Sequence, residues 1–157
     1  MITEVELARR VLHDNIVRCY AHFEDASNIY LVMELAEGGN LYAFLRKNRH
    51  LHEAEVAKFG FQLLKAASYL HNLNPPIVHR DLKLENILID SNGFIKLADF
   101  GWSSIKDSVR HTFCGTRDYL APEMILKSGH DEKIDVWTIG ILMFELLTGK
   151  APFTPSV

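Results

Sequence analysis

The sequence predicts an α+β fold, mainly helical, with a small β portion near its N-terminal end, and two patterns predict it. Apolar residues recur at helical spacing through residues 52–72 and 131–148. Runs rich in β-branched and aromatic residues, each pair joined by a polar turn, occur at 16–23 with 29–35 and at 87–89 with 94–97. At 157 residues, 48% hydrophobic and 24% charged, the chain has ordinary globular composition and enough length for one sizeable core.

Residues 1–12 place Val5, Ala8 and Leu12 on one helical face among Glu4, Glu6, Arg9 and Arg10, so an amphipathic helix is expected, opened by a capping box between Thr3 and Glu6. Segments 16–23 and 29–35 read as an antiparallel pair around the polar turn 24–28. Gly38 and Gly39 break that pattern, after which Asn40 can cap a short helix with Leu41, Phe44 and Leu45 inward. The long helix 52–72 turns Val56, Phe59, Leu63, Leu64, Ala67 and Leu70 inward. Between 87–89 and 94–97 lies Asp90-Ser91-Asn92-Gly93, where Asn-Gly favours the positive φ values of a tight hairpin turn. Residues 101–122 lack clear periodicity and read as a long loop, of a kind that is usually functional. Helix 131–148 is apolar on most sides and stops at Gly149, so it should be buried.

Lys and Arg total 17 against 20 for Asp and Glu, a net charge of −3, which argues against nucleic acid or an anionic membrane as the main partner. Cys19 and Cys114 have neither zinc-site spacing nor disulfide density and point to an intracellular, reducing compartment. His50-Leu51-His52 lacks further ligands at metal-site spacing, so no structural metal is expected. The most apolar stretch, 134–147, carries Asp135 and Glu145 and is too short for a membrane span, while Met1 opens directly into a charged helical pattern instead of a signal peptide. A soluble protein is expected.

The chemistry resides in His79-Arg80-Asp81-Leu82-Lys83-Leu84-Glu85-Asn86, followed by Asp99-Phe100-Gly101 and Ala121-Pro122-Glu123. Magnesium bridging the phosphates of ATP needs hard oxygen ligands from separate segments, and an acceptor hydroxyl needs a carboxylate to orient it and take its proton. Asp81, Asn86 and Asp99 can supply all of that. Any one tripeptide is weak evidence; three in this order and spacing form a strong joint signal for phosphoryl transfer.

On these motifs the chain resembles a eukaryotic protein kinase catalytic domain over essentially all of its length. The Aurora kinases are the nearest match within that superfamily, on Glu4-Val5-Glu6-Leu7, Trp102-Ser103 directly after Asp99-Phe100-Gly101, Thr112-Phe113-Cys114-Gly115-Thr116, and the run His130-Asp131-Glu132-Lys133-Ile134-Asp135-Val136-Trp137. The resemblance implies a protein-kinase-like α+β fold: a small-lobe remnant of one helix and two strands over residues 1–35, then the hinge and an incomplete large lobe over 36–157. It implies transfer of the γ-phosphate of ATP, with Mg2+, to Ser or Thr of protein substrates. Asp81 matches the catalytic carboxylate, Asn86 and Asp99 the magnesium ligands, and Lys83 the cation steadying the phosphate. Lys83 follows the Ser/Thr pattern and not the tyrosine one, and Thr116 agrees. Leu84 replaces a proline common there, at a position with no catalytic side-chain group.

Met33 falls at the gatekeeper, with Glu34 and Ala36 as the adenine-binding hinge and Leu88 as a further nucleotide contact. Glu4 is the helix glutamate, and Thr112 the activation-loop phosphosite whose phosphate Arg80 would bind. Glu85 would contact a basic residue before the acceptor, although Asn40 stands where some basic-directed kinases carry Glu. Ala8, Cys19, His79 and Phe100 match the regulatory spine, with Asp135 as its anchor. An activator protein is a further expected partner, and the location implied is cytoplasmic, nuclear or on the spindle. The first glycine is Gly38 and the first lysine Lys47, both after the hinge, so a glycine-rich loop and a lysine to pair with Glu4 are missing from these 157 residues. Glu123 likewise would lack the arginine it meets in complete kinases. The 157-residue chain is therefore expected to be a piece truncated at both ends, poorly stable and with little or no activity alone. Two alternatives are a non-catalytic regulatory or binding module, and a small-molecule kinase, which Lys83 and the loop 101–123 disfavour.

Overall fold

The computed structural model describes residues 8–99, 104–105, 117–126 and 129–153, and shows an α+β fold. A helical turn at residues 8–10 is followed by strands β1 (Cys19–Glu24) and β2 (Ile29–Met33), helices α1 (Leu41–Asn48) and α2 (Glu53–His71), and the short strand β3 (Ile77–Val78). A 3-10 turn at Leu84–Asn86 opens into the hairpin β4 (Ile87–Ile89) and β5 (Ile95–Leu97); β6 (Ser104–Ile105), a 3-10 turn at Arg117–Tyr119, α3 (Pro122–Ile125) and α4 (Lys133–Thr148) complete the order. Among the described residues these form three two-stranded antiparallel sheets: β1 with β2, β3 with β6, β4 with β5.

The helices form where the apolar period demands. Asn40 caps α1 through its Oδ1, which accepts from Ala43 N at 2.8 Å, and Leu41 and Leu45 are buried. At the start of α2 the Glu55 carboxylate accepts from His52 N at 3.3 Å. Its inner face, Val56, Phe59, Leu63, Ala67 and Leu70, packs on Ile139, Leu142 and Leu146 of α4 in one continuous core. Leu64, expected inward, is 42% exposed, because it lies on the outer side with Phe61 and Lys65 while Gln62 and Ala66 turn in. Helix α4 is likewise not buried all round: one stripe meets α2, and Val136, Phe144 and Leu147 face outward. No helix among the described residues is long and apolar enough to cross a membrane.

The hairpin β4–β5 forms as expected, but its turn is wider than a two-residue one. Asp90 closes it, taking Asn92 N and Phe94 N on its Oδ1 at 2.8 and 2.9 Å, so Phe94 belongs to the turn and only Gly93 there has positive φ, +74°. The expected loop 101–122 contains β6, paired with Ile77 and Val78; most of that loop lies outside the described residues, as do Thr3, Glu4 and Glu6 of the expected first helix.

Two backbone connections set the later geometry. Val17 N and Leu97 N bind Leu97 O and Asn15 O, each at 2.9 Å, fixing the N-terminal segment to β5, and Gly38 and Gly39 exchange hydrogen bonds with Ile89 at 2.8 Å. Beyond α4, Gly149 has φ +78°, and a Cβ there would stand 2.4 Å from the carbonyl oxygen of Arg49. Gly149→Ala is expected to lower stability by about 3 kcal/mol, a left-handed penalty of ~1–2 kcal/mol plus overpacking of similar size. Urea unfolding checks this; a loss under about 1 kcal/mol would mean that the Arg49 backbone moves aside.

Candidate active site

The loop 79–86 runs between β3 and β4 with little regular structure, so other groups must hold it. Asp135, in the first turn of α4, does so. Its Oδ1 accepts from Arg80 N at 2.9 Å, and its Oδ2 from His79 N at 2.9 Å and from His71 Nε2, at the end of α2, at 2.7 Å. The residue is 1% exposed and sits where a helix N-terminus favours negative charge. This grip maintains Arg80 at φ +70°, a left-handed conformation that a non-glycine residue adopts only under constraint.

His79 is buried below the loop. Its Nε2 donates to Ala98 O at 3.2 Å and its Nδ1 accepts from Asp81 N at 3.4 Å, which defines a neutral ring. Burial lowers its pKa below 6.5, against the upward pull of Asp135 and the Ala98 carbonyl. Below pH 6.5 the unfolded chain therefore binds a proton there that the fold does not, so His79 withdraws stability as pH falls through 6.5. In histidine 1H–13C spectra its ring is expected to titrate at lower pH than an ordinary histidine does.

Asp81 is 4% exposed, and its Oδ2 accepts from Lys83 Nζ at 2.7 Å and from Asn86 Nδ2 at 3.1 Å. Asn86 gives a second hydrogen bond, at 3.0 Å, to Asp81 O. Both amide protons of Asn86 are thereby engaged, leaving its Oδ1 with no hydrogen bond to a described residue. The hydrogen bond to Asp81 raises the pKa of Lys83, with the charges of Glu85 and Asp99 adding to it, so the ammonium persists at neutral pH. Ala98 N binds Asn86 O at 2.8 Å, which brings Asp99, exposed and at φ +63°, alongside. Among the described residues no three His, Cys, Asp or Glu side chains converge on a metal position. The Asp99 carboxylate and the Asn86 amide oxygen nonetheless suit Mg2+, which takes one or two carboxylates and keeps several waters.

The remaining expected residues surround this group. Met33, half-buried, ends β2; Glu34 N donates to Arg18 O at 2.8 Å, and the Glu34 carboxylate pairs with Lys96 at 2.5 Å. Ala36 N makes no hydrogen bond to a described residue. Leu88, half-buried on β4, is bridged to Asn40 and paired with Lys96. Glu85 is exposed. Ala8 and Cys19 share the main core. Phe100, Thr112 and Thr116 lie outside the described residues, as does Glu4.

Sequence reasoning missed His71 and a second carboxylate group. Tyr119 Oη donates to Glu145 Oε2 at 2.5 Å, and burial raises the pKa of both. Glu85 and Asp118 push Glu145 up further, so three carboxylates share one electrostatic neighbourhood. A lone glutamate in the apolar helix α4 was the available signal.

Comparison with known proteins agrees with this geometry. The protein kinase domain family matches residues 1–156. The chain is 46% identical over 151 residues to an Aurora kinase of Schizosaccharomyces pombe, covering 96% of this chain and 42% of that protein. It is 44% identical to Aurora/IPL1-related protein kinase 2 of Caenorhabditis elegans, covering 96% and 49%, and 44% identical to Aurora kinase C of Mus musculus, covering 98% and 55%. The chain thus spans about half the length of these relatives. With its loop 79–86 built around Asp81 and all but one of its residues matched, the chain belongs to the protein kinase domain family.

Proposed function

We propose that this chain forms the catalytic floor of an Aurora-like protein serine/threonine kinase, which moves the γ-phosphate of ATP to Ser or Thr hydroxyls of protein substrates. The observation that carries the reading is the double engagement of Asp81 Oδ2 by Lys83 and Asn86 in a buried loop. With one oxygen so held, the other is oriented to accept a hydroxyl proton. Lys83 Nζ stands ready to steady the transferring phosphate, and Asn86 Oδ1 with the Asp99 carboxylate would hold Mg2+. Bound there, the ion neutralises charge on the ATP phosphates. The unengaged Ala36 N–H and the flanking Met33, Glu34 and Leu88 suit an adenine ring.

Substrates with a basic residue before the acceptor fit the carboxylates of Glu85, Asp118 and Glu145. Regulation through Glu4, through Thr112 phosphate on Arg80 and through an activator protein follows the Aurora resemblance, as does peptide docking at Thr116. The same resemblance makes residues 1–35 part of a small lobe and 36–157 hinge and large lobe, with a cytoplasmic, nuclear or spindle location. Because no glycine or lysine precedes Gly38 and Lys47, we expect the 157-residue polypeptide alone to transfer phosphate slowly.

Amide NMR during titration with Mg2+ and ATP tests the nucleotide site. Ala36 and Asn86 are expected to shift saturably, and Asp99→Asn to remove the Mg2+ dependence while the Ala36 shift remains. Unmoved Ala36 and Asn86 resonances would defeat the proposal.

A further inference from the structure

We propose that Lys96 is a positioning residue for the nucleotide: its ion pair with Glu34 sets the hinge at a fixed distance from the strand that leads to Asp99. Lys96 lies outside the loop 79–86, and its role rests on the nucleotide site proposed above. Residues directly opposite one another on paired strands project from the same face, so Lys96 shares a face with Leu88, its partner across β4–β5. Ile95 and Leu97, on either side of it, turn to the opposite face and are buried in the main core. From beside Leu88 the Lys96 ammonium reaches across to the end of β2 and meets Glu34 Oε1. The other oxygen, Oε2, accepts from Arg18 N at 3.2 Å, while Glu34 N donates to Arg18 O, so the same carboxylate is also fixed to the start of β1.

The hinge is anchored differently at its two ends. At the far end Gly38 N donates to Ile89 O and Gly39 O accepts from Ile89 N, each at 2.8 Å. At the near end, among the described residues, no backbone hydrogen bond joins residues 33–37 to β4 or β5, so the Lys96–Glu34 pair does the holding there. Ala36 lies between these two anchors. The side chains of Lys96 and Glu34 are only 13% and 23% exposed, which spares the pair most of the solvent screening that makes a surface ion pair weak. Below it, Leu97 is tied to Asn15 and Val17 through its backbone, and Asp99 follows directly after Ala98, so the strand and the carboxylate move together. A ligand that touches both Ala36 and the Asn86–Asp99 pair is sensitive to the spacing that Lys96 maintains. One that touches a single end is not.

NMR titration of the 157-residue chain with three probes tests this role. Adenosine reports on the Ala36 end, Mg2+ with pyrophosphate on the Asn86 end, and Mg2+ with ATP on both together. Lys96→Met keeps the unbranched stem and removes the ammonium. It is expected to weaken binding of Mg2+ with ATP by about tenfold while adenosine and magnesium pyrophosphate stay within about twofold of the parent. Lys96→Arg, which retains the cation, should restore the affinity for Mg2+ with ATP. Glu34→Gln keeps an acceptor for Arg18 N and loses the charge, so it should act like Lys96→Met, and the double variant should be no worse than either alone. Unchanged binding of Mg2+ with ATP in Lys96→Met, an equal loss for all three probes, or no rescue by arginine would each overturn the role of Lys96 while the nucleotide site stands. A parent chain whose Ala36 and Asn86 do not respond to Mg2+ with ATP would overturn the site and the role together.

Discussion

Asp135→Ala is expected to lower unfolding stability by about 3–5 kcal/mol, the range for removing one member of a buried charged network. Three donors lose their acceptor at once: the amides of His79 and Arg80 and the ring of His71. Each donor left buried without a partner contributes about 1–3 kcal/mol of that loss, and water reaching the gap offsets part of it. Asp135→Asn separates charge from geometry. Its Oδ1 can still receive Arg80 N, but an amide nitrogen faces His79 N, so an intermediate loss is expected. Since domains of this size have only about 5–15 kcal/mol of stability, the alanine variant should be marginally folded near room temperature. Urea unfolding at pH 7 measures both, and a loss under about 1 kcal/mol for the alanine variant would show that Asp135 does not hold the loop.

Asp81→Asn is expected to lower whatever phosphate transfer the polypeptide supports by about 10²–10⁴-fold, the usual contribution of a positioned general base. The substitution is chosen to preserve shape. With its Oδ1 turned toward Lys83 and Asn86, asparagine keeps both hydrogen bonds that Asp81 now accepts and changes only charge and basicity. Nucleotide binding should therefore change little while turnover collapses, which distinguishes a chemical role from a structural one. Transfer of labelled γ-phosphate to a basic serine peptide gives the rate. A variant as active as the parent would remove Asp81 from the reaction.

Helices α1, α2 and α4 are legible in the sequence because a 3.6-residue period and a cap are local properties, as at Asn40 and Gly149. The β4–β5 hairpin is legible for a similar reason, although the acceptor role of Asp90 over four residues decides its turn more than Asn92-Gly93 does. Leu64 shows the limit of periodicity: the angular width of a buried stripe is set by what packs on it, here α4, which no local pattern states. Residues of the loop 79–86 are recognisable as a motif, yet what holds them is not. His71 and Asp135 are separated by 64 positions, and Tyr119 and Glu145 by 26. Such pairs have no local signature beyond a charged side chain in an apolar run.

Left-handed torsions at Arg80 and Asp99 constrain which substitutions this chain can accept. Valine, isoleucine or threonine at either place would collide with its own backbone, whereas asparagine at 99 sits comfortably. Releasing the Asp135 grip would also let Arg80 relax to an ordinary angle, so the segment gains by letting go. Amide hydrogens there should exchange with solvent through small openings well before the α2–α4 packing yields.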